Sequence, residues 1–208
     1  MKRINPYFVS QWQKDRDLGP TYEDRIAELE LLSSQIASMP AARQEEWAQN
    51  LQYLVSNDPS ASLRAQAARV AGKISSDTAT RVLNRASSDE SMLVRMAACE
   101  AWKLRPDQAA QDMLLSMALT DEDSSVRQAA IESLSAFDNP GVLSTLEKLL
   151  DDSSPAIQFQ TVQTLRQMTG RDYAGDFDSW KKFLAGEDVP EPSVSVTAAF
   201  WNALPKLY

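Results

Sequence analysis

Four stretches of the chain repeat one order of polar and apolar positions. Each starts at an Asp, runs four residues, and then sets an aliphatic residue directly before Arg or Gln: Asp58 with Leu63 and Arg64, Asp89 with Val94 and Arg95, Asp121 with Val126 and Arg127, Asp152 with Ile157 and Gln158. The anchors at 64, 95, 127 and 158 are spaced by 31, 32 and 31 residues. Three residues after each anchor come Ala67, Ala98, Ala130 and Thr161; four after, Ala68, Cys99, Ile131 and Val162; seven after, Ala71, Trp102, Leu134 and Leu165. Ile74, Phe137 and Met168 continue the series at ten. Offsets of 3, 4, 7 and 10 make one apolar stripe on a helix of 3.6 residues per turn, and small residues at the first offset admit a close neighbour.

A second apolar-periodic run precedes each Asp: Trp47, Leu51, Leu54 and Val55; Val82, Leu83 and Ala86; Met113, Leu114, Met117 and Leu119; Leu143, Leu146, Leu149 and Leu150. Each unit is therefore predicted to be a helical hairpin with the Asp in its internal turn. Start signals agree, since Asn139-Pro140 and Ser154-Pro155 set a capping side chain before a proline at the first helical position, and Met39-Pro40 and Arg105-Pro106 place proline similarly.

A turn Asp followed by Val-Arg and an alanine-rich second helix resembles the HEAT-repeat superfamily, in the short bacterial form akin to the repeats of phycobilisome lyases, over residues 41–169. The resemblance implies an all-α, right-handed α-solenoid, an alpha-alpha superhelix of about four hairpins. The Trp-Leu-Gly-Tyr and Thr-Pro-Leu-His patterns of tetratricopeptide and ankyrin units are absent. The fourth unit departs from the pattern at Gln158 and Thr161.

A solenoid must cover its two ends. Thr21 to Ser38 reads as an amphipathic helix with Ile26, Leu29, Leu32 and Ile36 on its apolar side, so residues 21–169 form the expected repeat domain with its N-terminal cap. Gly170 stops the fourth hairpin, and Trp180, Phe183 and Leu184 mark a short capping helix within residues 170–185, a stretch similar to the tail that follows HEAT arrays in some bacterial proteins. Two aromatic flanks remain. Residues 1–20 carry Tyr7, Phe8 and Trp12, and residues 186–208 carry Val196, Phe200, Trp201, Leu204, Leu207 and Tyr208 beyond a Pro-, Glu- and Ser-containing linker. Such residues either fold back on the solenoid or bind in trans, with self-association through the C-terminal tail as one route.

Composition narrows the chemistry. Gly is scarce at 6 of 208 residues, no alternating β-branched run appears, and no apolar stretch approaches a membrane helix. The formal charge of −8 divides about evenly along the chain, which withholds the long-range attraction that phosphate backbones reward. There is no His and one Cys, Cys99, so His-based triads, His metal ligands and disulfides are excluded, and Cys99 is expected in the core. The clusters Asp121-Glu122-Asp123 and Asp151-Asp152 lack calcium-loop spacing. No phosphate loop or nucleophile elbow occurs. No cofactor and no catalytic residue are expected, and the N-terminus lacks the apolar core of a signal peptide, so a cytoplasmic protein is expected.

The repeated charges read as structural. Asp58, Asp89, Asp121 and Asp152 are placed to accept backbone N–H groups at the start of each second helix, and Arg64, Arg95 and Arg127 to reach a neighbouring turn's Asp or carbonyls in a ladder. What remains for function is surface. In HEAT-like arrays the second helices usually line the concave side, and the positions one, five and eight after the anchor point away from the core stripe: Arg69, Met96, Glu100, Lys103, Gln128, Glu132, Phe159, Gln163 and Arg166. Their mixed character suits a segment of another protein, with Met96 and Phe159 as apolar anchors. The expected function is a non-catalytic binding scaffold. The alternatives are a lyase-like chaperone holding a small ligand and, as in HEAT-like DNA glycosylases, a nucleic-acid binder, which Glu100 and Glu132 oppose.

Overall fold

In the computed structural model, residues 20–191 are described, and among them every regular element is helical. Ten α-helices follow in order: α1 (Tyr22–Gln35), α2 (Ala41–Asn57), α3 (Ala61–Ala71), α4 (Asp77–Ser87), α5 (Met92–Trp102), α6 (Gln108–Thr120), α7 (Ser124–Ser133), α8 (Pro140–Leu149), α9 (Pro155–Thr169) and α10 (Phe177–Leu184). Short 3₁₀ turns at Ile36–Ser38 and Leu134–Ala136 tighten the ends of α1 and α7. The pairs α2/α3, α4/α5, α6/α7 and α8/α9 are the four expected hairpins of an α-solenoid. The aromatic flanks read from the sequence fall mostly outside the described residues, as do all the tail aromatics from Phe200 to Tyr208.

The chain divides into two compact units, Met1–Ala101 and Trp102–Tyr208, a boundary inside α5 that the repeat pattern did not announce. In the first unit, α3 packs against α1, α2 and α4. Leu29, Leu32, Leu51, Val55, Leu63, Ala67, Ala68, Ala71, Ile74, Val82 and Leu83 are buried there. Gly72 closes α3 where a Cβ would lie 2.8 Å from the Cα, Cβ and O of Ala101. Only glycine allows that approach. In the second unit, α7 packs against α6 and α9, and α10 lies on α8. Thr161 and Thr164 of the divergent fourth hairpin are buried without penalty because their hydroxyls donate to the carbonyls of Ile157 and Ile131.

The apolar stripe of the second helices is buried as expected, Cys99 included, except that Met168 is half-buried. The first-helix pattern needs correction at α6. Leu119 is 50% exposed and Met113 half-buried, while Ala110, Leu114, Met117 and Ala118 make the inward face. The run through Leu119 broke helical spacing by two residues, and the helix kept its period. Start signals also need correction. Asn139 caps α8 by accepting from Gly141 and Val142 N–H, as expected, but Ser154 makes no side-chain cap. Helix α6 starts after Pro106 with Asp107 as its cap, bonded to Ala110 N–H at 2.8 Å, and α2 starts at Ala41 rather than Pro40. Thr21 and Asp24 form a reciprocal capping box on α1. Gly170 ends α9 at φ 71°, a left-handed position natural to glycine.

The repeated Asp does one job four times. The N–H two residues on donates to its Oδ1: Ser60 to Asp58 at 2.8 Å, Ser91 to Asp89 at 2.9 Å, Asp123 to Asp121 at 2.9 Å and Ser154 to Asp152 at 2.8 Å. The anchors bond back to carbonyls of their own turn: Arg64 to Asp58 O at 2.9 Å, Arg95 to Asp89 O at 2.9 Å, Arg127 to Asp121 O at 3.0 Å. Gln158, shorter, reaches Leu150 O at 3.1 Å instead. Each of these anchors thereby locks a turn of its own hairpin. Between neighbouring turns Arg64 Nε and Nη2 donate to Asp89 Oδ2 and Oδ1 at 2.9 and 2.8 Å with both side chains buried, a rung of the expected ladder. Among the described residues Arg127 makes no ion pair with Asp152. Arg25 of the capping helix, absent from the sequence reading, ion-pairs with Asp58 and so extends the ladder to α1.

Candidate binding groove

Helix α9 begins at Pro155, whose fixed φ suits a first turn, and runs to Gly170. One of its faces is spent on the core through Ile157, Thr161, Thr164 and Leu165. Its next face carries Pro155, Gln158, Phe159, Val162, Gln163 and Arg166, spaced by three and four residues and so stacked along the helix. Opposite them stand Ala174, Gly175 and Phe177. Together these residues enclose a groove of about 410 Å³ with a mainly apolar lining. Val162 is nearly buried at its floor, and Phe159 stands at its lip with 64% of its surface exposed.

The far wall is held rigidly. Ala174 has φ 51°, a left-handed conformation that costs a non-glycine residue about 1–2 kcal/mol. Two bonds hold it there: its N–H donates to Asp172 Oδ1 at 2.8 Å, and its carbonyl accepts from Trp180 Nε1 at 3.3 Å. Trp180 is fully buried and meets Tyr173 edge-on at 5.0 Å between ring centroids, with Phe183 5.6 Å from Tyr173. The capping segment, expected only to close the array, thereby builds half of the groove. At one end Arg166 Nη2 pairs with Asp172 at 2.5 Å, while Arg166 Nε is buried with no acceptor.

The structure brings together three of the nine residues expected to bind: Phe159, Gln163 and Arg166. Arg69 and Glu100, one repeat apart in the first unit, bond each other at 2.6 Å. Both are substantially exposed, so this pair contributes at most about 1 kcal/mol. Met96, Lys103 and Gln128 are half-buried and Glu132 is exposed, and none of the four lines the groove. Gln128 donates to Ser124 O within its own helix at 3.2 Å. Sequence reasoning missed Pro155, Ala174, Gly175 and Phe177, and it had assigned Val162 to the core. Only the last of these left a trace, since Val162 lies beside Phe159 on a helix and could be shared between core and surface.

The model of the family described as HEAT repeats matches residues 48–135 and 112–176, more than half of the chain. The chain belongs to the HEAT-repeat family. The match reaches the superfamily and does not extend to the phycobilisome-lyase form that the motifs resemble. HEAT repeats commonly serve as protein-interaction scaffolds. No curated protein matches this HEAT-repeat chain. No helix among the described residues is long and apolar enough to cross a membrane, and no cluster of three or more acidic or thiol side chains among them would hold a metal ion.

Proposed function

We propose that this HEAT-repeat protein is a non-catalytic scaffold that seats an apolar-anchored segment of another protein in the α9 groove. The observation that carries the reading is Phe159, a large aromatic 64% exposed above an apolar floor, with Gln163 beside it to bond a peptide backbone. A buried aromatic anchor ringed by polar groups is the usual energetic centre of a protein interface. The charges favour the same reading over a phosphate backbone. The two arginines of the expected surface, Arg69 and Arg166, are already paired with Glu100 and Asp172, and a guanidinium so engaged offers little to another anion.

The test is affinity enrichment from the source cells, comparing the intact chain with Phe159→Glu and with Lys148→Glu, an exposed change away from the groove. Circular dichroism first verifies that all three are equally helical. A protein retained by the intact chain and by Lys148→Glu but lost with Phe159→Glu supports the groove; one retained by all three refutes it. A second reading has its own support. About 410 Å³ is the size of a small-molecule site, and the acceptor-free Arg166 Nε would donate to a neutral oxygen acceptor there. Native mass spectrometry of the purified protein separates the two, since only this reading expects a small adduct that Phe159→Glu abolishes.

A further inference from the structure

We infer that the groove's resident occupant is the protein's own C-terminal tail, residues 196–204, seated in cis and competing with the outside partner. The inference deepens the peptide-binding reading proposed above and rests on it. Its first support is where the described chain ends. After α10 the chain turns back: Tyr173 Oη donates to Val189 O at 3.0 Å, and Arg171 pairs with Glu191 at 3.1 Å. Residues 189–191 are thereby moored to residues 171–173, immediately before the groove wall at Ala174 and Gly175. From Glu191 to Val196 there are five residues, an extended reach of about 17 Å.

The second support is the pattern of the tail. Val196, Phe200 and Leu204 are spaced by four, Trp201 lies beside them, and Pro205 follows, which is the sequence of a short amphipathic helix with a stop. Nine residues of helix span about 13 Å, and the α9 face from Pro155 to Arg166 spans about 16 Å, so the two match in length. Helix-in-groove recognition uses this anchor spacing. The third support is charge. Arg166 is already neutralised by Asp172, and residues 192–208 carry no carboxylate side chain and a single Lys206. An uncharged apolar helix fits that groove better than an acidic one.

Tethering supplies what intrinsic affinity need not. A short linker holds the tail at an effective concentration in the millimolar range, so a separate affinity of only ~100 µM would keep the groove filled about nine-tenths of the time. A partner must then displace it, which sets a threshold for capture.

The test is hydrogen exchange read by mass spectrometry on the full chain, on Phe200→Glu/Trp201→Glu, and on Phe159→Glu. Closure nine-tenths of the time slows exchange about tenfold in the tail peptide covering 197–204. Either variant should abolish that protection, and the tail variant should also speed exchange in 155–166 and 174–177. Adding synthetic peptide 192–208 to the tail variant should restore protection of those two stretches. Protection unchanged between 1 and 50 µM protein (about the working range for exchange), with a monomer by sedimentation, establishes the cis arrangement. Tail exchange at the unprotected rate in the intact chain overturns the inference, and so does protection that appears only with dimer, which would assign the groove to a second copy's tail. The partner experiment distinguishes the two levels: loss of a partner with Phe159→Glu, without tail protection in the intact chain, leaves the scaffold reading standing and removes the tail.

Discussion

Replacing Arg64 with Met tests whether the repeat's charges hold the fold together. Arg64 is 7% exposed and Asp89 4% exposed. Substitution removes both bonds to the Asp89 carboxylate and the bonds at 2.9 and 3.2 Å to the carbonyls of Asp58 and Pro59. Asp89 would keep the Ser91 N–H bond but lose its buried counter-charge. Breaking a buried pair from one side costs about 3–5 kcal/mol, much more than the pair is worth against an apolar replacement of both partners. Taking about 4 kcal/mol and a urea dependence of about 2 kcal/mol per molar, the midpoint of unfolding of the first unit should fall by about 2 M in far-UV circular dichroism. Arg64→Met/Asp89→Asn should regain much of the loss, because the amide oxygen still accepts from Ser91 and no charge is buried. Acid should narrow the gap. Burial alone would raise the Asp89 carboxyl, but the Arg64 and Ser91 hydrogen bonds, with the Arg64 and Arg85 charges, outweigh it and hold it below the ordinary carboxylate value. A depressed carboxylate stabilises the fold above the unfolded value of about 3.9 and loses that contribution as pH falls through the folded one. The difference between the intact chain and Arg64→Met should therefore be full at neutral pH and shrink towards pH ~3. A midpoint shift under about 0.3 M, a double variant no better than the single, or a gap unchanged by acid would each refute the argument.

Gly72→Ala should destabilise by about 1–3 kcal/mol despite alanine's better helix propensity, because the new Cβ meets Ala101 backbone at 2.8 Å; thermal unfolding reads it. Trp180→Ala should cost about 3–5 kcal/mol in urea and, by freeing the Ala174 carbonyl, weaken partner capture at the α9 groove. Asn139→Ala should cost about 1 kcal/mol of thermal stability, since the side chain caps two N–H groups of α8, whereas Ser154→Ala, which removes no cap bond, should stay within about 0.5 kcal/mol. Arg127→Met should lose only about 1 kcal/mol, a fraction of the Arg64 loss, because its guanidinium bonds a carbonyl and makes no ion pair with Asp152.

Periodicity alone determined the hairpins, the buried stripe from Ala67 to Leu165 and the role of the four turn aspartates, because those features depend on residues a few positions apart. A helix face is set by a spacing of three and four, and an Asp two residues before an N–H can accept from it in any fold that makes the turn. Slips came where a local signal had a rival: Leu119 fell off the helical period, and Ser154 gave its place in the turn to Asp152. The charges at positions 64, 95 and 127 looked equivalent in sequence, yet a two-sided buried pair forms at Arg64 and Asp89 and none joins Arg127 to Asp152. That difference depends on how the next turn approaches, which no spacing encodes. The groove was legible only on its near side. Phe159, Gln163 and Arg166 follow from facing outward on α9, but Ala174, Gly175 and Phe177 meet them only because Trp180 and Asp172 pin a left-handed Ala174 across the gap. Helix period specifies which side chains leave a helix together, and only the packing of the following segment decides what they face.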